Sequence, residues 1–209
     1  MEPQWIRWAK RIQALAQTGL TFASDPYDLE RYRALRELAV EMLAAHTELL
    51  CDADRARLEE LFAGERGYPT PKVDVRAAVF QDGRVLLVKE RSDGRWSLPG
   101  GWADVGSSPS EMAVREVAEE AGYRVRPVRL LAVWDNSRHH GRPVAYAVYK
   151  ICIACDLTGG RPEGGIETEE VGWFAVGELP PLSVTRITPG QVLRLYHLYT
   201  HPELPPDFD

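Results

Sequence analysis

Hydrophobic residues recur every three or four positions along the first third of the chain, which is the spacing of one face of an α-helix. The first such face consists of Trp5, Trp8, Ala9, Ile12, Leu15 and Ala16. A second helix is predicted to begin at the capping residue Asp25, with Pro26 in its first turn, and to continue to about His46. A third, shorter helix is expected from near Asp52 to Phe62.

The segment GERGYPTPK follows these helices and predicts a linker, because it holds two glycines and two prolines in nine residues. We therefore divide the chain into a helical domain, residues 1–66, and a second domain, residues 67–209. About 65 residues of helix form a poor core on their own, so their apolar faces need a further partner. A homodimer through the helical domain is the first hypothesis, and packing against the chain's own second domain is the alternative.

After the linker the pattern changes to short apolar runs that are typical of strands. VDVRAAVF and RVLLVKER are predicted strands joined by a hairpin turn at Asp82-Gly83, and further strands are expected at VRLLAVWD, PVAYAVYKICIAC and VGWFAV. A glycine-rich loop, LTGGRPEGGIETEE, is predicted before the last strand. Helices are predicted to begin at Ser108 and at Thr188, and the first of them to end at Gly122. This mixture predicts an α/β (α+β) sandwich behind an N-terminal all-helical domain.

Composition limits the classes of function. The formal net charge of −6 over 209 residues argues against a broad nucleic-acid or anionic-membrane surface. The N-terminal segment mixes charges with its apolar residues, and no apolar run is long enough to span a bilayer, so a cytoplasmic location is expected. Cys152 and Cys155 would point to opposite faces of a strand, so they, like Cys51, are expected to be reduced thiols.

The helix after Ser108 concentrates acidic residues on one face. At about 100° per residue, Glu116, Glu119 and Glu120 fall within roughly a third of the helix circumference. Three like charges there repel one another unless a cation lies among them, and Mg²⁺ or Mn²⁺ prefers such oxygen ligands. A solvated acidic face is the alternative. A cation site is favoured by the preceding glycine-rich loop and by an opposite apolar face of Met112, Ala113, Val117 and Ala121.

Gly101 and the run REVAEEAGY from Arg115 resemble the Nudix box, G-x5-E-x7-R-E-U-x-E-E-x-G-U, and match eight of its nine specified positions. The resemblance implies a Nudix fold, with a mixed sheet between helices, and metal-assisted hydrolysis of a nucleoside diphosphate derivative. It further implies that Glu116, Glu119 and Glu120 bind the metal with the Gly100 carbonyl, and that Arg115 holds the glutamates in place.

Ser107 stands where the box has its first glutamate. The box's remaining three glutamates are present, so the site is expected to be altered but active, and Glu111 is considered as a substitute. In many Nudix enzymes a glutamate six residues before the tryptophan of a WF strand serves as the general base. Glu167 holds that place here, with a solvated loop acid as the equal alternative.

The helical segment together with YPTPKVDVRAAVF resembles the Nudix subfamily that includes CDP-choline pyrophosphatases. That resemblance implies cleavage of CDP-choline to CMP and phosphocholine by dimers. ADP-ribose, another dinucleotide or an RNA end remain alternative substrates, and a nucleotide-sensing module that does not hydrolyse is a different class of function.

Candidate substrate contacts follow from the same chemistry. Planar guanidinium groups bind phosphate oxygens well, which points to Arg76 and Arg91. A quaternary ammonium group is recognised by an aromatic face and an acid, for which the candidates are Trp102, Trp134, Asp135 and Tyr146. Packing within strands is the alternative for each aromatic residue.

Overall fold

The computed structural model describes residues 2–45, 55–139 and 144–209, which form two compact units. The first unit contains three helices together with residues 144–147. These helices are α1 (Gln4–Phe22), α2 (Pro26–Ala44) and α3 (Arg55–Gly64). The second unit contains the β-strands and three further helices, α4 (Pro109–Ala121), α5 (Asn136–His139) and α6 (Pro189–Thr200).

The helical unit has a small core of its own. Ile6, Leu43 and Leu58 are almost fully buried in it. The predicted start of α2 is confirmed, because the Asp25 side chain accepts hydrogen bonds from two backbone N–H groups of the first turn, ahead of Pro26. The predicted end of this helix at His46, the start of the next at Asp52, and Cys51 lie outside the described residues. No helix within the described ranges is long and apolar enough to cross a membrane.

The apolar face predicted for α1 divides into two parts. Ala9 and Ala16 are fully buried, whereas Trp8 and Leu15 are 52% and 65% exposed, as is Phe22, outside the predicted face, at 70%. The three exposed residues are seven positions apart and therefore lie along one stripe of the helix, which we call the α1 stripe. The core of the unit thus uses only part of the apolar surface that the sequence provides.

The second unit is built on one mixed sheet. Its strands are β1 (Lys72–Gln81), β2 (Arg84–Glu90), β3 (Trp96–Ser97), β4 (Gly100–Trp102), β5 (Tyr123–Asp135), β6 (Val148–Gly160), β7 (Thr168–Ala175) and β8 (Asp207–Phe208). The main order is β3-β2-β1-β6-β5-β8, with β4 paired to β1 and β7 paired to β2. The β1–β6 and β5–β8 pairs are parallel and the others are antiparallel. One buried cluster packs α4 against the sheet and a second packs α6, which confirms a mixed sheet between helices.

Local signals for turns and helix ends are also confirmed. Asp82 and Gly83 both have positive φ, at 49° and 72°, as the tight turn between β1 and β2 requires. Ser108 and Thr188 each begin their helix with a reciprocal capping box, and Gly122 ends α4 with φ at 69°.

Strand boundaries differ from those predicted. β6 begins at Val148 rather than five residues earlier, and it continues to Gly160, into the segment predicted as a loop. The extension exists because β5 begins at Tyr123, directly after α4, and pairs Tyr123 with Gly160 and Arg124 with Gly159. Glycines interrupt the apolar pattern typical of a strand, so the local sequence did not predict this long-range pairing. The strands β3, β4 and β8 are too short for a periodic signal.

The two described cysteines are free and buried, on opposite faces of β6 as predicted. Cys152 belongs to the cluster under α6 and Cys155 to the cluster under α4. Burial raises the pKa of each thiol to about 12, so both are inert at neutral pH.

A buried ion cluster lies in the row of residues that crosses β1 and β6. Asp74 is 6% exposed and accepts from the Arg76 guanidinium, with Nη2 2.9 Å from Oδ1. The fully buried Lys150 places its Nζ 3.3 Å from the other oxygen of Asp74. Burial favours the neutral form of Asp74, but the charges of Arg76 and Lys150 outweigh it and lower the pKa of the carboxyl group.

Asp74→Asn is expected to reduce the free energy of unfolding by about 3–5 kcal/mol at pH 7, because it leaves two buried cations without their carboxylate. The matched control is Asp156→Asn, which removes an exposed partner of Arg126 and should change stability by less than about 1 kcal/mol. Urea unfolding measures the stability of both variants.

The pKa of Asp74 is lowered in the folded state. Its contribution to the free energy of unfolding is therefore complete at neutral pH and declines as the pH falls through that pKa. Equal stability of the two variants would contradict this account of the cluster.

Candidate active site

The helix α4 is joined to the sheet by a hydrogen bond to one of its carboxylates. The Gly100 N–H donates to Oε2 of Glu120 at 2.9 Å, and Glu120 is only 7% exposed. Gly100 has φ at 146°, and a Cβ there would lie 2.1 Å from the Val75 carbonyl oxygen. Only glycine therefore allows β4 to approach β1 closely enough to present this N–H to α4.

A second carboxylate of α4 faces the same short strand. A Cβ on Gly101 would be 3.1 Å from Oε1 of Glu116, so the partly buried Glu116 lies directly over the β4 backbone. Glu119, by contrast, is exposed. The three carboxylates on the predicted acidic face therefore differ in exposure: Glu120 is buried, Glu116 is partly buried and Glu119 is exposed to solvent.

Arg76 supplies the internal positive charge next to these acids. It is 6% exposed, donates from Nε to Asp74 at 3.0 Å, and donates from Nη1 to the Leu98 carbonyl at 3.1 Å. Burial raises the pKa of Glu116 and of Glu120, and the charge of Arg76 partly offsets that rise. The guanidinium is buried and bonded within the protein, and the expected contact of Arg76 with a substrate phosphate stays a prediction.

Burial has the largest effect on the pKa values of the acids in this site. It raises the pKa of Glu120 to about 8, although Arg76 and the Gly100 N–H act in the opposite direction. Burial likewise raises the pKa of Glu116 and of Glu90 at the end of β2. A cation adjacent to Glu116 and Glu120 would favour their ionised forms.

The donors at this site suit a hard divalent cation. The two carboxylates offer only oxygen, which is the ligand type that Mg²⁺ and Mn²⁺ prefer, and a role of the Gly100 carbonyl as a further ligand stays a prediction. Within residues 2–45, 55–139 and 144–209, no three His, Cys, Asp or Glu side chains are already gathered around one metal position. The residues therefore fit a metal ion as a set of oxygen donors.

The loop before β7 is fastened to the end of α4. The Thr168 hydroxyl donates to the Glu120 carbonyl at 2.7 Å and accepts from the Gly165 N–H at 2.8 Å. The Glu167 carbonyl accepts from the Arg91 N–H at 2.9 Å. The Glu167 charge adds to the effect of burial in raising the pKa of Glu116, so this loop places a further carboxylate within electrostatic range of the site.

Comparison with known families agrees with this arrangement. A model described as the NUDIX domain matches residues 70–196, and one described as a UDP-X-like, N-terminal oligomerisation domain matches residues 3–62. The chain belongs to the Nudix hydrolase family. It is therefore a hydrolase of the pyrophosphatase type, and enzymes of this family generally use divalent metals.

Relatives extend over the whole chain. YjhB of Bacillus subtilis, provisionally named an ADP-ribose pyrophosphatase, is 46% identical over all 209 residues and 99% of its own length. The crystal structure of a UDP-X diphosphatase covers 100% of both chains at 34% identity, with a TM-score of 0.63. The crystal structure of an ADP-ribose pyrophosphatase from Streptococcus suis covers 67% of this chain and 100% of its own, at 40% identity and a TM-score of 0.62.

Arg115 of the Nudix box has an ion-pair partner that the sequence analysis did not identify. Its Nη2 lies 2.5 Å from Oδ2 of Asp104, in the loop between β4 and α4. Glu111, considered above as a substitute for the glutamate missing at Ser107, instead binds the Ser108 N–H and hydroxyl, both at 2.8 Å. Asp104 carries no signal in the spacing of the box, which explains why it was missed.

Two of the predicted substrate contacts are accessible from solvent. Arg91 is exposed and has its Nη1 4.0 Å from Glu169, while its backbone N–H holds the loop that carries Glu167. Trp102 is 50% exposed and follows the Gly100–Gly101 backbone in β4. Both positions are compatible with a role in substrate binding, which remains a prediction.

The other candidates for a choline pocket have structural roles. Trp134 is 1% exposed and its Nε1–H donates to Asp207 at 3.3 Å, as expected if the ring packs within the fold, and its contact with a ligand stays a prediction. The Asp135 carboxylate accepts from the Ser137 N–H at 2.9 Å. Tyr146 packs against the core of the helical unit. Trp134 and Tyr146 thus pack within the fold, which was the alternative given for the aromatic residues.

Gly100→Ala is predicted to lower the free energy of unfolding by about 2 kcal/mol or more. The added Cβ meets the Val75 carbonyl, and a positive φ strains any residue with a side chain by about 1–3 kcal/mol. Gly190→Ala is the control, since a Cβ there meets nothing within 4 Å and alanine favours helix. Thermal and urea unfolding compare the two. Wild-type stability for Gly100→Ala would show that close packing of β4 is not required.

Proposed function

We propose that this Nudix hydrolase cleaves the pyrophosphate linkage of a nucleoside diphosphate derivative with bound Mg²⁺ or Mn²⁺, and that ADP-ribose or a UDP-linked compound is its substrate. The observation that carries the chemistry is the pair of carboxylates, Glu116 and Glu120, directed at the Gly100–Gly101 backbone. The substrate class is supported by the names of full-length and near-full-length relatives, which refer to ADP-ribose and UDP-X.

Each part of the site has a role in this proposal. When bound, a divalent ion would supply neutralisation of charge on the pyrophosphate and polarisation of a water molecule for attack at phosphorus. Glu116, Glu119 and Glu120 would hold the ion, the Gly100 N–H fixes the position of Glu120, and the charge of Arg76 favours its ionised form. The carboxylate of Glu167 accepts a proton from the attacking water. The exposed guanidinium of Arg91 contacts the phosphate oxygens.

CDP-choline ranks below these substrates. The three relatives described above carry names that refer to ADP-ribose or UDP-X. Recognition of a quaternary ammonium group needs an accessible aromatic face, and Trp134 is buried while Tyr146 belongs to the helical core. Trp102 is the remaining aromatic candidate.

A substrate panel tests the proposal directly. The protein is incubated with ADP-ribose, UDP-glucose or CDP-choline in the presence of Mg²⁺ or Mn²⁺, and mononucleotide release is measured. The expected result is metal-dependent release of AMP or UMP. A preference for CDP-choline would overturn the ranking of substrates while keeping the metal site, and an absence of product with either metal would overturn the proposed hydrolysis.

Glu120→Gln is expected to reduce metal-dependent kcat/KM by more than about a hundredfold, since loss of even an indirect metal partner lowers affinity or activity about 10- to 100-fold. The amide oxygen can still accept from Gly100 at this buried position, so the melting temperature should not fall. Glu178→Gln, at an exposed position after β7, is the control. Unchanged turnover in Glu120→Gln would exclude the carboxylate helix as the metal site.

Assembly is a separate part of the proposal. The family model that matches residues 3–62 is described as an oligomerisation domain, which supports oligomer formation by the helical segment. We propose that the oligomer is a homodimer and that the α1 stripe, Trp8, Leu15 and Phe22, is buried in its interface. The spacing of seven residues is that of helices packed along a common seam.

Leu15→Asp is expected to convert the dimer into a monomer at micromolar concentration, because a charge is placed at the centre of the apolar stripe without affecting the helical core. Leu193→Asp, at a 50% exposed position on α6, should leave the dimer intact. Light scattering coupled to size-exclusion chromatography gives the mass of each. A dimeric Leu15→Asp protein would exclude this face from the interface.

A further inference from the structure

The serine at position 107 raises the question of what holds Arg115, the arginine of the Nudix box. The box has a glutamate at that position, so this chain lacks one negative charge next to the catalytic helix. An arginine on α4 that lacked a partner could reach Glu119, one turn further along the helix, because residues four apart on a helix are neighbours. Glu119 is one of the proposed metal ligands.

Glu111 does not fill this gap. Its carboxylate accepts from the Ser108 N–H and from the Ser108 hydroxyl, each at 2.8 Å, and it completes the capping box of α4. The bonds from Ser108 lower the pKa of Glu111 and keep it ionised in that position. The Glu111 carboxylate is therefore bound to Ser108 at the first turn of the helix.

Asp104 is the partner that Arg115 has in this structure. The two side chains meet with Nη2 2.5 Å from Oδ2, and the same Nη2 also contacts the sulfur of Met112 one turn before Arg115. The loop is held in a turn because the Ser107 N–H donates to the Asp104 carbonyl at 3.2 Å. Arg115 thus points toward the N-terminus of α4, which is the direction that helical side chains favour, and away from Glu119.

We propose that Asp104 is a positioning residue for metal binding and compensates for the glutamate that the box lacks at Ser107. By holding Arg115 toward the N-terminus of α4, Asp104 keeps the guanidinium away from Glu119 and leaves the carboxylates of α4 free to bind a divalent ion. This inference rests on the proposed metal-dependent hydrolysis. It concerns only how the protein's own side chains prepare that site.

The role is one of positioning and not of stability. The Asp104 side chain is 66% exposed and that of Arg115 is 39% exposed, and pairs of this kind contribute little to folding. Partners that orient metal ligands nevertheless change metal affinity about 10- to 100-fold when they are removed. Metal affinity and stability should therefore respond differently to the same substitution.

The test measures Mn²⁺ binding to the full-length protein without substrate, by electron paramagnetic resonance of the free ion. Asp104→Asn is expected to weaken Mn²⁺ binding about tenfold, with a melting temperature within a few degrees of wild type. Adding Ser107→Glu to this variant should restore binding, because it returns a carboxylate to the box position. Asp156→Asn, which removes the exposed pair with Arg126, is the control and should bind as wild type does.

Three results separate the possibilities. Wild-type affinity in Asp104→Asn would overturn the inference. Weakened binding that Ser107→Glu does not restore would also overturn it, because charge opposite Arg115 would not be what matters. A wild-type protein that binds no Mn²⁺ would instead contradict the proposed metal-dependent function, before the question of Asp104 arises.

Discussion

A carboxylate that is removed from water needs a hydrogen-bond donor or a positive charge, and Glu120 has both. The Gly100 N–H bonds to it, and the buried guanidinium of Arg76 lies within electrostatic range. The first contact requires a glycine with positive φ in a three-residue strand, and the second requires Asp74 to accompany Arg76 into the interior. The packing of α4 on the sheet and the direction of its acids both depend on these contacts.

The same contacts explain why one residue can serve both fold and chemistry. Arg76 is fixed by Asp74 and by the Leu98 carbonyl, which anchors the segment leading into β4. Its charge then partly offsets the burial of Glu116 and Glu120, whose pKa values remain raised. A divalent cation bound beside these two acids would favour their ionised forms, against the effect of burial.

Much of this architecture was predictable from local sequence. The capping boxes at Ser108 and Thr188 and the hairpin at Asp82-Gly83 are short-range signals, and the structure confirms them. The Nudix family was likewise carried by spacing within one segment, and the family model confirms it. Such features need no knowledge of which strands meet.

Features that depend on distant pairing were not predictable. The burial of Arg76 follows from its position between β4 and β6, and the burial of Trp134 follows from the packing of α6 on the sheet, neither of which local periodicity contains. The Asp104–Arg115 pair spans a loop whose fold is set by α4. Substrate identity depends on such details, which is why the expectation of CDP-choline found no support.

Anomalous diffraction from crystals of the wild-type protein soaked in Mn²⁺ would locate the metal site directly. We expect one principal peak bonded to carboxylate oxygens of Glu116 and Glu120 beside the Gly100–Gly101 backbone. A principal peak bound by other residues, or no peak on α4 after soaking, would contradict a metal site formed by this carboxylate pair.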